Sequence, residues 1–78
     1  MKGSDIMYSR FTRTFQAWLR ANFIEYDLGY ENKLYNVFLR AKDIENVQAY
    51  FQNHNQPYTL EYFDNFKDFA TLYFKGVN

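Results

Sequence analysis

Few side chains in this sequence can do chemistry. His54 is the single histidine, serine occurs only at Ser4 and Ser9, and cysteine is absent. A nucleophile–base–acid arrangement would have to draw its serine from the first residues of the chain, and no thiol is present to replace it. The missing cysteine also removes disulfides and thiolate zinc or iron–sulfur sites. His54 lies in Asn53-His54-Asn55-Gln56-Pro57, which reads as a solvated loop and offers no further metal ligand. Gly3, Gly29 and Gly76 are too scattered for a phosphate-cradling loop. The sequence therefore predicts no catalytic set, no cofactor, no metal site and a protein that is not an enzyme.

Charge supplies the candidate binding residues. Nine basic and nine acidic side chains cancel, which makes the whole chain a poor non-specific binder of nucleic acid. The distribution is uneven: residues 1–20 carry Lys2, Arg10, Arg13 and Arg20 against Asp5, a net of +3, so the remainder sums to −3. Arg10, Arg13 and Arg20 form a basic stripe suited to an acidic protein surface or a phosphate backbone, although three arginines are a small nucleic-acid footprint. Glu25, Asp27 and Glu31 fall on alternate positions and so share one face of a strand, where they can meet a basic partner or a hard cation. Glu61, Asp64 and Asp68 read as a second acidic stripe. A solvated face is the plainer reading of each row.

These rows need elements to hold them. From about Asp5 to Ala21, Tyr8, Phe11, Phe15, Trp18 and Leu19 recur at helical spacing with the three arginines opposite, an amphipathic helix with Ser4 or Asp5 as its cap. Residues 24–31 then alternate apolar and polar without a miss, and Glu31-Asn32-Lys33 is turn-like. Tyr35, Val37 and Leu39 can share a face, so the pattern predicts a β-hairpin over 23–30 and 34–40. A helix starting at Asp27 competes for the same residues through Tyr30, Leu34, Val37 and Phe38, weakened by Gly29, Asn32 and Asn36. Asp43 reads as the cap of a helix over 43–53, with Ile44, Val47, Tyr50 and Phe51 on one side. A last helix is expected from a Thr59 cap, with Tyr62, Phe63, Phe66, Phe69, Ala70, Tyr73 and Phe74 spanning about 140° of arc and Gly76 just past its end.

Seventy-eight residues make one domain, with 1–7 as a frayed lead-in. No targeting segment or apolar span is evident, which predicts a soluble cytoplasmic protein. Phe, Tyr and Trp are 23% of the chain; these rings substitute for the disulfide or metal that small domains use, and several tyrosines are expected at the surface. The predicted fold is a small α+β domain of order α-β-β-α-α, a two-stranded hairpin packed on three helices. The spacing of Phe15, Trp18 and Leu19, then Tyr50-Phe51, then Phe63, Phe66 and Tyr73, resembles small helical SAM-like domains. That resemblance implies an all-α four-helix alternative, carries no activity, and does not extend to the middle of the chain. The expected function is a small binding protein whose partner is most simply another protein, as an accessory factor or inhibitor. Abundant Asn, Tyr and Phe suggest an AT-rich genome, as in a phage or mobile element of low-GC bacteria. Nucleic-acid binding through the arginine-bearing first helix and self-association as a homodimer are the alternatives; no membrane contact is expected.

Overall fold

The computed structural model describes residues 8–63, 65 and 67–76. Helix α1 (Arg10–Ala21) is followed by strands β1 (Tyr26–Glu31) and β2 (Leu34–Arg40), helix α2 (Ala41–Asn53), and strands β3 (Thr59–Tyr62) and β4 (Phe69–Phe74). The strands form one antiparallel sheet in the order β1-β2-β4-β3. The domain is α+β, and the all-α alternative implied by the SAM-like spacing is overturned by this sheet.

The predicted hairpin forms. Asn32 and Lys33 both adopt positive φ (55° and 66°), the pair of left-handed residues a two-residue type I′ loop requires. Tyr30 pairs with Tyr35 and Leu28 with Val37. The strand starts later than expected, at Tyr26, so Glu25 lies just before it.

The expected third helix does not form. Its residues build β3 and β4 instead, and the order becomes α-β-β-α-β-β. Aromatic and β-branched residues are poor helix formers and good strand formers, and they make up four of the six residues of Phe69-Ala70-Thr71-Leu72-Tyr73-Phe74, Ala70 and Leu72 being the exceptions. As a strand it places Ala70, Leu72 and Phe74 in the core. Thr59 opens β3 and caps nothing. The second acidic stripe dissolves: Glu61 is on β3, Asp68 lies in the turn before β4, and Asp64, like Phe66, is outside the described residues. Gly76 does take a positive φ (79°), but beside α1: an added Cβ would lie 2.7 Å from the Tyr35 ring and 2.9 Å from the hydroxyls of Ser9 and Thr12.

Both helices cover one face of the sheet. Phe15 and Leu19 of α1 and Ile44, Val47, Tyr50 and Phe51 of α2 close on Tyr35, Val37, Leu39, Ala70, Leu72 and Phe74. The core is a network of rings, with Phe15, Phe51 and Phe74 in edge contacts at 4.9–5.8 Å, geometry that the ring quadrupole favours. Helix α1 starts at Arg10, later than the expected Asp5, and its cap is Ser9 and not Ser4 or Asp5: the Ser9 Oγ accepts from the Thr12 N–H at 3.1 Å. Arg40 occupies the cap position of α2 without a side-chain bond, and Asp43 sits in the first turn, where its charge complements the helix dipole.

The two helices end alike. At α1, Phe23 N–H donates to Arg20 C=O (3.1 Å) and Ile24 N–H to Leu19 C=O (2.9 Å). At α2, Asn55 N–H donates to Gln52 C=O (3.1 Å) and Gln56 N–H to Phe51 C=O (2.9 Å). Both are Schellman ends, which need a left-handed residue, usually Gly or Asn. Asn55 fits that rule at φ 55°, whereas Phe23 takes φ 56° at a steric cost of roughly 1–2 kcal/mol.

Candidate functional site

An antiparallel sheet covered on one face leaves the other to solvent, and that face is normally polar. Here it is not. The alternation that buries Val37 and Leu39 turns Leu34, Asn36, Phe38 and Arg40 of β2 outward, beside Phe69, Thr71 and Tyr73 of β4. Phe38 and Phe69 stack at 4.9 Å with planes 11° apart. Phe63 adds a third ring 5.9 Å from Phe38, and the Arg40 guanidinium lies 5.8 Å over Phe69. Phe38 is 38% exposed, whereas Thr71, in the middle of the face, is only 7% exposed. A shallow hollow of about 230 Å³ opens between these rings and Glu25, Tyr26 and Asp27.

The strands edge these rings with negative charge. Asp27 and Glu31 of β1 and Glu61 of β3 point to the same side, against Arg40 alone among the bases on these strands. Arg40 is already engaged, its Nε and Nη2 both 2.6 Å from Glu25 Oε1. Glu61 accepts a 2.9 Å hydrogen bond from the Tyr73 hydroxyl. That bond holds the phenol in its protonated form, so the Tyr73 pKa is raised, with partial burial and the charges of Glu61 and Glu31 pushing the same way. The surface carries its rings toward the Arg40 end, with Asp27 and Glu61 on the strands to either side, fit for a partner that brings apolar groups and positive charge.

Of the six residues singled out from the sequence, Asp27 and Glu31 lie on this face and Glu25 stands at its end. The arginines lie apart, on α1. Arg10, Arg13 and Arg20 are exposed, and Arg20 Nη1 donates to the Tyr26 hydroxyl at 3.0 Å, which in turn donates to Gln16 at 3.1 Å. The acidic and basic rows therefore do not form one site. Sequence reasoning missed Phe38, Phe63, Phe69 and Tyr73. Phe38 was legible in part, because placing Tyr35, Val37 and Leu39 on one side forces it to the other; Phe63, Phe69 and Tyr73 were hidden by their helical spacing. Phe23, 93% exposed, gave no signal in the sequence.

His54 is exposed at the end of α2, its ring 4.1 Å from that of Tyr50. The Tyr50 hydroxyl is buried with no hydrogen-bond partner among the described residues, and desolvation raises its pKa. Among the described residues no three His, Cys, Asp or Glu side chains converge to hold a metal ion, and no helix is long and apolar enough to cross a membrane. Two exposed tyrosines, Tyr30 and Tyr62, join Phe23 and Phe38 as the large apolar groups most open to solvent. Comparison of the chain with protein-family models, with curated proteins and with solved structures finds no match.

Proposed function

We propose that this protein is a non-enzymatic binding module that docks a partner protein on the bare face of its sheet. The observation that carries the reading is the Phe38–Phe69–Phe63 cluster on the sheet face that neither α1 nor α2 covers, with Asp27 and Glu61 on the strands to either side. Exposed aromatic patches with polar margins are the common form of protein interaction sites. The partner is one whose surface is apolar and basic, since the carboxylates would otherwise be left desolvated. A role as accessory factor or inhibitor suits a domain of this size, and the low-GC composition is in keeping with a bacterial or phage cytoplasm.

A four-stranded sheet with bare rings also resembles a platform for stacking single-stranded bases. The carboxylates oppose that use by repelling phosphates, and Phe38 and Phe69 already stack on each other. The test is co-purification from a low-GC bacterial lysate with the wild-type chain, with Phe38→Ser, and with Arg10→Glu combined with Arg13→Glu. A specific protein lost with Phe38→Ser and kept with the arginine variant supports the proposal. Nucleic acid in its place, released steeply by salt and lost with either variant, overturns it.

A further inference from the structure

The sheet has two edges, and they are built differently. β3 closes one side with only four residues, and shortness is a common guard against further pairing. β1 closes the other side with six residues, Tyr26–Glu31, paired to β2 in one unbroken register and holding neither proline nor lysine. No strand lies against its outer side among the described residues. The two-residue loop closes on a hydrogen-bonded pair, Glu31 with Leu34, and the bonding alternates from there along the ladder. Gly29 and Asp27 therefore bond to β2, whereas Tyr26, Leu28 and Tyr30 turn their N–H and C=O groups outward. The side chains beside that row alternate as well. Leu28 and Tyr30 lie on the helix side and stay partly open to solvent, Tyr30 at 44%. Asp27 and Glu31 are exposed on the other side, with Gly29 between them.

We infer that the β1 edge takes an extended segment of a partner protein as a fifth strand, with basic residues opposite Asp27 and Glu31 and apolar residues beside Leu28 and Tyr30. Backbone bonds to Leu28 and Tyr30 supply the pairing, and the alternating side chains select the partner. The pattern follows from the register. Two bases four positions apart meet the two carboxylates, and an aromatic residue midway between them covers Gly29, where the edge lacks a side chain. The same charges turn away a second copy of this chain. Two β1 strands laid antiparallel about a two-fold axis, with fullest overlap, set Asp27 against Glu31 twice, and like charges directly opposite destabilise a strand pair. The added strand lies on the far side of β1 from the Phe38 and Phe69 rings, so the inference does not rest on the docking proposed above.

Titration of the full chain with a labelled, end-capped peptide, Thr-Lys-Val-Tyr-Val-Lys-Thr, tests it by fluorescence anisotropy and by residue-resolved amide exchange. The peptide is expected to bind in the micromolar range and to slow exchange of the Leu28 and Tyr30 amides roughly tenfold, while the Gly29 amide, already bonded to β2, changes little. The same peptide with glutamate in place of both lysines is expected to bind roughly tenfold more weakly. Asp27→Lys combined with Glu31→Lys changes two exposed positions, leaves the core untouched, and is expected to reverse that preference. Phe38→Ser is expected to keep the peptide, so failure at the edge and failure of the bare-face docking are told apart. No binding up to millimolar peptide overturns the inference. So does binding that leaves the Leu28 and Tyr30 amides unprotected, which is a loose ionic contact, or a preference that survives the charge reversal. Protection of the same amides that rises with chain concentration in the absence of peptide overturns it in favour of a second copy.

Discussion

The two faces of the sheet come from the same strands and are separated only by the alternation of side chains, yet their aromatic residues are spent differently. On the covered face, Phe15, Phe51 and Phe74 meet edge to face and are almost wholly buried. On the bare face, Phe38 and Phe69 lie nearly parallel, with Phe63 beside them and carboxylates around them. A small domain short of core must bury its rings to fold, so rings kept out of the core return only part of the stability they could supply. The difference separates what this chain needs in order to fold from what it can offer to another molecule.

The strongest test of that separation compares Phe51→Ala with Phe38→Ala in denaturant unfolding. Phe51 is fully buried, and its loss leaves a cavity expected to cost about 3–5 kcal/mol. Phe38 loses one stacked neighbour and partial burial, about 1.5 kcal/mol. Equal losses would make the bare face a second core and remove the reason to regard it as a docking surface. A smaller contrast lies between two glycines. Gly76→Ala adds a Cβ at φ 79°, 2.7 Å from the Tyr35 ring, and is expected to cost about 2 kcal/mol. Gly29→Ala, on the bare face, meets only the Asn36 side-chain amide at 2.9 Å; that amide can rotate away, and the change is expected to stay within about 0.5 kcal/mol.

The bare face was the part of the molecule least legible in the sequence, for a physical reason. Residues 24–31 alternate without a miss and Asn32 supplies the left-handed turn, which favours the hairpin over the helical spacing of Tyr30, Leu34, Val37 and Phe38. Helices α1 and α2 are equally plain, since their apolar residues recur at three and four. Residues 59–74 carry rings at positions compatible with both periods: Phe66, Phe69, Ala70, Tyr73 and Phe74 fit a helical stripe, while Ala70, Leu72 and Phe74 fit a strand. A central strand flanked on both sides loses the polar alternation that would identify it, and even Thr71 becomes buried. Local spacing cannot decide such a segment; pairing with β2 and β3 does. The acidic row on β1 was legible as a row, but not the rings it borders, because those arrive from the misassigned strand.

On the covered side, Tyr50→Phe sharpens the account of the core. Its hydroxyl is buried without a partner among the described residues, and a buried group in that condition costs about 1–3 kcal/mol. Removing the oxygen while keeping the ring is expected to raise stability by about 1 kcal/mol, read as a higher denaturant midpoint at unchanged slope. A loss of stability would show that the hydroxyl is hydrogen-bonded after all and that this side is wetter than its packing indicates.

The smallest effect is expected on the bare side, at Tyr73. Its phenol donates to Glu61, so the folded state holds that proton more tightly than the unfolded chain, whose phenol titrates at about 10. A group whose folded pKa is raised contributes stability that is fully present below the unfolded value and is lost as pH rises through the folded one. Stability should therefore fall in the alkaline range as Tyr73 ionises beside the Glu61 and Glu31 carboxylates. Glu61→Gln removes both the charged acceptor and the nearer repelling charge, so Tyr73 should titrate closer to its ordinary value. Following tyrosinate absorbance in wild type and Glu61→Gln, with Tyr73→Phe identifying which transition moves, measures this directly. A Tyr73 transition that does not move in Glu61→Gln would mean that the hydrogen bond is not held in solution. The bare face would then be a looser surface, with its rings still aligned but its acidic margin free to turn toward water.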